Sequence, residues 1–134
     1  MTTIDHLGIA VKDLAAAKKL YEQLGIRVVH EEVVAHEKVK VAMLPIGESR
    51  IELLEATDDD SPVAKFIAKR GEGIHHIAID VPSISETMEA MKGKGVRFVS
   101  DEIKIGAGGH LYVFIHPSSA GGVLIELCQD PPTA

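Results

Sequence analysis

The chain repeats itself. The segment IDHLGIAV (Ile4–Val11) returns as IHHIAIDV (Ile74–Val81), and IELLE (Ile51–Glu55) returns as IELCQ (Ile125–Gln129). His6 and His76 stand 70 residues apart and Glu52 and Glu126 stand 74 apart, so the two halves keep nearly the same register. A repeat of this kind restricts the fold to two copies of one unit, each unable to bury its apolar face alone. Here it duplicates two histidines and two carboxylates as well as apolar residues. Nitrogen and oxygen donors in that mixture suit the first shell of a divalent metal.

The local pattern predicts β-α-β-β-β for each copy. Ile4–Val11, rich in branched apolar residues, reads as a strand. Asp13 is an N-cap for a helix from about Leu14 to Leu24, which Gly25 ends. Leu14, Ala17, Leu20, Tyr21 and Leu24 form its expected core face. The β-branched runs Arg27–Val34 and Val39–Pro45 follow, and Arg50–Glu55 closes the first half. A connector carries a short helix, about Pro62 to Arg70, signalled by Ser61 and by proline in the first turn. In the second half, strands are expected at Gly73–Val81, Val96–Ser100, Leu111–His116 and Val123–Cys128. Ser83 or Ser85 starts a helix running to about Lys94, Gly106–Gly109 is a loop, and Pro131 and Pro132 end the ordered chain. The expected fold class is α+β, a single domain over residues 1–134. Module one covers about 1–56, the connector about 57–72 and module two about 73–134. Side by side, the modules are expected to form one curved mixed sheet around a metal-binding cleft, helices outside.

Composition narrows the functional classes. A chain of 134 residues supports one ordinary domain with a real core. The net charge of −6 and the absence of a basic cluster argue against a nucleic-acid binder, and few aromatics argue against a base-stacking surface. No apolar stretch approaches the length of a membrane span, and the first residues lack a secretory pattern. The single cysteine, Cys128, suits a reducing compartment, so a cytoplasmic protein is expected.

Strand alternation sorts the candidates. His6 shares a face with Ile4 and Gly8, and His76 takes its place in the second copy, while His75 faces the other way. Glu52 and Glu126 each lie between apolar residues, where a carboxylate is costly to bury without a partner, and a metal ion is one. A lone strand histidine is more often a hydrogen-bonded core residue, and a lone strand glutamate usually faces solvent. Four such residues recurring in a two-fold pattern favour the metal. His30, His36, His110 and His116 do not repeat and read as surface or loop residues, and Cys128 reads as packing.

With these residues in place, the sequence resembles the vicinal oxygen chelate superfamily, which includes glyoxalase I, extradiol dioxygenases and the methylmalonyl-CoA epimerases. The resemblance to the epimerase branch rests on IDHLGIAV, DSPVAKFIAKRGEGIHHIAIDV (Asp60–Val81), DEIKIGAGGH (Asp101–His110) and HPSSAGGVLIEL (His116–Leu127), which together span almost the whole chain. It implies that His6, His76 and Glu126 bind the metal, and that Glu52 is the fourth ligand where some members have glutamine. A catalytic glutamate of some members falls at Val41, which cannot transfer a proton. The resemblance further implies one divalent ion, Co2+ favoured and Zn2+, Ni2+ or Mn2+ allowed, an acyl-CoA substrate and a homodimer, with neither nucleic acid nor membrane as partner. Epimerisation needs acid/base groups on opposite faces of the substrate, and a pseudo-symmetric site offers Glu126 and Glu52. The competing readings are a glyoxalase I-type lyase, with the same metal but glutathione as carrier, and a non-catalytic small-molecule binder of the same fold.

Overall fold

A computed structural model describes residues 2–131, so Pro132 lies outside the described residues. The chain forms two compact units, one of residues 6–75 and one of residues 2–5 with 76–131. The first contains β1 (Thr3–Ala10, which starts in the other unit), α1 (Leu14–Gln23), β2 (His30–Val34), β3 (Val39–Ile46), β4 (Ser49–Ala56) and α2 (Pro62–Arg70). Its strands run in the order β2-β3-β4-β1, with β1 parallel to β4 and the other neighbours antiparallel. The second holds β5 (Gly73–Asp80, which starts in the first unit), α3 (Ile84–Lys92), β6 (Lys104–Ile105), β7 (Leu111–Ile115) and β8 (Ile125–Gln129). Its order is β5-β8-β7-β6, with β5 parallel to β8 and the rest antiparallel. Each copy therefore returns its last strand to lie beside its first. The fold class is α+β with mixed strand pairing, as the repeat predicts.

The same chemistry starts the helix of each copy. The Asp13 carboxylate accepts the Ala16 N–H at 3.1 Å, and the Ser83 hydroxyl accepts the Glu86 N–H at 3.3 Å. A second acceptor arrives from the end of the module's last strand. Glu55 takes the Leu14 N–H at 3.2 Å, and Gln129 takes the Ile84 N–H at 2.9 Å. The first turn of a helix leaves its N–H groups without intrahelical partners; all four bonds satisfy such groups, and those from Glu55 and Gln129 also tie helix to sheet in each copy. Beneath them lie matching cores: Val11, Leu14, Ala42, Leu44 and Leu53 in the first, and Val81, Ile84, Met88, Phe98, Val113, Ile115 and Leu127 in the second.

Three expectations are corrected. On α1, Leu20 and Leu24 are exposed, and only Leu14 with the partly buried Ala17 and Tyr21 faces the core. At 100° per residue those three fall within about 60° of arc, and Leu20 and Leu24 lie outside it. Val96–Ser100 is not a strand; Phe98 makes an isolated bridge to Ile115, and the edge strand is Lys104–Ile105. Phe98 still belongs to the core, so its apolar pattern marked burial and not a ladder. The first-half strand starts at His30: Val29 donates its N–H to the Met43 carbonyl at 2.9 Å, and Arg27 and Val28 lead in from α1. Among the described residues, no helix is long and apolar enough to cross a membrane.

Candidate metal centre

The duplicated residues are buried as matched pairs. His6 and His76 are each 4% exposed, and Glu52 and Glu126 are each 7% exposed. In the first unit His6 Nε2 stands 3.6 Å from Glu52 Oε1, and in the second His76 Nε2 stands 3.5 Å from Glu126 Oε2. These separations are longer than a good hydrogen bond. Two donors about 2.1 Å from one ion stand roughly 3–3.4 Å apart, so each pair is close to the spacing of neighbouring ligands. Burial gives both carboxylates a reason to hold a cation, since an ionised group away from water requires a charged or hydrogen-bonding partner.

Strand register explains how the pairs form. Glu52 lies opposite Gly8 in the parallel β1–β4 pair, and Glu126 lies opposite Ala78 in the parallel β5–β8 pair. Gly8 and Ala78 are each two residues beyond the histidine and on its face of the strand. A residue with little or no side chain there leaves room for a glutamate to reach back to the imidazole. Larger residues at Gly8 or Ala78 would occupy that space.

The two pairs differ in what surrounds them. Phe114 lies opposite Glu126 and meets the His76 ring edge-on at 5.7 Å, and Tyr112 meets Phe114 at the same distance. The matching register positions in the first copy are Met43, opposite Glu52, and Val41. One pair thus has an aromatic wall and the other an aliphatic one. The sequence reading missed Phe114 and Tyr112, although their alternation in LYVFI and their return register with IELCQ carried the signal.

The remaining histidines lie elsewhere. His75 faces away from His76 and meets Phe66 of α2 edge-on at 4.9 Å. Burial pushes its imidazole below the ordinary value of 6.5, against the opposing pull of the Glu37 charge, and so keeps it neutral at pH 7. His30 pairs with Glu32 at 2.6 Å, His36 with Glu37 at 3.7 Å and His110 with Asp130 at 3.7 Å. His116 caps the turn Pro117–Ser119, its Nδ1 accepting the Ser118 N–H at 3.1 Å. Cys128 is buried, with its thiol directed at the Ile79 carbonyl 3.6 Å away. Val41 is buried and offers no titratable group.

Paired β-α-β-β-β modules define a class of fold, and comparison with known proteins gives the family. Residues 5–114 match the Glyoxalase/Bleomycin resistance protein/Dioxygenase superfamily, and the chain belongs to that family. Within it, the chain is similar to methylmalonyl-CoA epimerases. It is 37% identical to the ethylmalonyl-CoA/methylmalonyl-CoA epimerase of Cereibacter sphaeroides, over 94% of this chain and 96% of that protein. Among solved structures it resembles a variant of the Streptomyces coelicolor methylmalonyl-CoA epimerase in complex with 2-nitronate-propionyl-CoA. The TM-score is 0.93 at 41% identity, covering 97% of this chain and 95% of that one. The methylmalonyl-CoA epimerase of Mycobacterium tuberculosis superposes with a TM-score of 0.92 at 38% identity, covering 96% and 88%.

Proposed function

We propose that this protein interconverts (2R)- and (2S)-methylmalonyl-CoA, as a single domain using one divalent metal held by His6, Glu52, His76 and Glu126. The observation that carries the reading is the duplicated buried pair, His6 with Glu52 and His76 with Glu126, in a chain similar along nearly its whole length to epimerases of this substrate. The donor set fits the group: two imidazole nitrogens and two carboxylates, all withdrawn from water. Such a set accepts Co2+, Zn2+, Ni2+ or Mn2+, and the family resemblance favours Co2+. A cytoplasmic homodimer is the accompanying proposal, supported by the family resemblance and the single cysteine.

The chemistry asks for few parts. The hydrogen between a thioester and a carboxylate is weakly acidic, and its removal leaves an enolate whose charge sits on the thioester oxygen. A bound divalent cation supplies Lewis-acid stabilisation of that charge. Glu52 and Glu126 supply carboxylates from the two copies of the repeat, so one takes the proton from one face and the other returns a proton to the opposite face. Their burial keeps bulk water from competing for these transfers. Phe114 and Tyr112 lie beside Glu126, and Met43 and Val41 beside Glu52, so each carboxylate has its own surroundings within its copy.

The test is incubation of metal-loaded protein with (2R)-methylmalonyl-CoA in deuterated water, following epimer composition and deuterium at the α-carbon. Epimerisation with deuterium uptake, lost on chelation and in His76→Ala, is the expected result. Metal in the site with neither turnover nor exchange would sink the epimerase reading and direct the next assay to glutathione hemithioacetals.

A further inference from the structure

Beside the ligand pair of the second copy stands a residue that the proposed chemistry does not use. His75 precedes His76 on β5, and strand alternation sends its ring to the opposite face. There it meets Phe66, in the middle of α2, with ring centroids 4.9 Å apart and planes at 68°. The Arg70 guanidinium, one helical turn on, lies 5.9 Å from the centre of the Phe66 ring. The lead into β5 is held as well: the Glu72 carboxylate accepts the Lys12 N–H at 2.6 Å. Between these ties the backbone passes through Gly71 at φ 75° and Gly73 at φ 156°, conformations that favour glycine. The start of β5 is thus held by contacts outside the strand in addition to its ladder with β8, which begins at Ile77.

We propose that His75 is a positioning residue for His76. Its ring, packed edge-on against Phe66, fixes the height and twist of the first residues of β5 and so the place from which the His76 imidazole reaches a metal. This rests on the metal-centre reading above. An aromatic ring of about this size is what the contact requires, and a proton on His75 is not. Burial, which already keeps the imidazole neutral, agrees with a packing role.

The experiment titrates Co2+ into the parent protein and into His75→Ala, His75→Phe and Phe66→Leu, following the visible d–d bands. Circular dichroism confirms that each variant is folded. His75→Ala is expected to weaken Co2+ binding about tenfold, the lower end for substitutions beside a ligand, and to shift the bands because the ligand geometry changes. Phe66→Leu should produce the same shift from the helix side. His75→Phe, which keeps a flat ring against Phe66, should restore affinity to within about threefold of the parent. A parent that binds one Co2+ per chain while His75→Ala keeps its affinity and spectrum overturns the positioning role alone. So does a His75→Phe protein as impaired as His75→Ala. Should His75→Ala fail to fold, Phe66→Leu with unchanged affinity and bands overturns it. A parent that binds no Co2+ overturns the metal centre and the positioning role together.

Discussion

At the scale of single residues, the two carboxylates are not equivalent, despite identical exposure and nearly identical distances to their histidines. Glu52 occupies a place where some relatives of this fold carry glutamine, whose amide oxygen can still donate an electron pair. Glu126 lies beside the aromatic Phe114 and Glu52 beside Met43. Glu52→Gln is therefore expected to keep metal with less than about a tenfold loss of affinity, and Glu126→Gln to lose more than that, because it is at position 52 that some relatives of this fold use glutamine. Metal content after dialysis at equal free Co2+ separates them. Equal retention by both variants would show that the two positions do not differ in their tolerance of glutamine. The shared burial of His6, Glu52, His76 and Glu126 was legible because the His–Glu pair appears twice in matched context. Phe114, Tyr112 and the Phe66–His75 contact were not, since no local spacing announces an aromatic partner that arrives from another strand or helix.

At the scale of elements, what the sequence announced well were helix starts. Asp13, Ser61 and Ser83 each cap the helix expected of them, because a cap is a contact between residues two or three apart. The bonds from Glu55 to α1 and from Gln129 to α3 went unread for the opposite reason. They join residues 41 and 45 positions apart and depend on the last strand lying beside the first. The outer leucines of α1 show a third case: helical spacing predicts a stripe but not its width, and the sheet covers only the arc of Leu14, Ala17 and Tyr21. The Gln129 bond makes a prediction of its own. Ile84 is fully buried, so losing the acceptor leaves an N–H without its side-chain partner at the start of a helix. Gln129→Ala is expected to lower stability by about 1–2 kcal/mol in urea unfolding. Gln129→Glu, which restores the pattern of Glu55 and places negative charge at the helix N-terminus, should match or exceed the parent. A parent-like midpoint for Gln129→Ala would show that water replaces the bond at no cost.

For the whole molecule, the question is whether duplication made two half-sites of one centre or two separate sites. Each copy holds its own His–Glu pair at a spacing close to that of neighbouring ligands, so geometry within a copy allows both. Chemistry separates them. A single imidazole and a single carboxylate supply only two donors and hold an ion weakly, whereas four donors on one ion hold it firmly and, in a shell that expands beyond four, leave a place for substrate oxygen. Metal that binds only the native state stabilises it by mass action, about 2.7 kcal/mol when free metal is a hundred times its dissociation constant. For a chain of this length that corresponds to a rise in Tm of roughly 5–10 °C. If one ion uses all four residues, the parent takes up one Co2+ per chain and shows that rise. His6→Ala and His76→Ala then each abolish most of it, and the double variant loses no more than either alone, the non-additivity expected of groups that act as a unit. If each pair serves its own ion, the parent takes up two, each single variant keeps one with about half the rise, and the losses add. Metal stoichiometry and melting curves on the same four proteins decide between these outcomes. Two independent sites would leave the fold assignment intact but remove the shared ion on which the exchange of a proton between opposite faces depends.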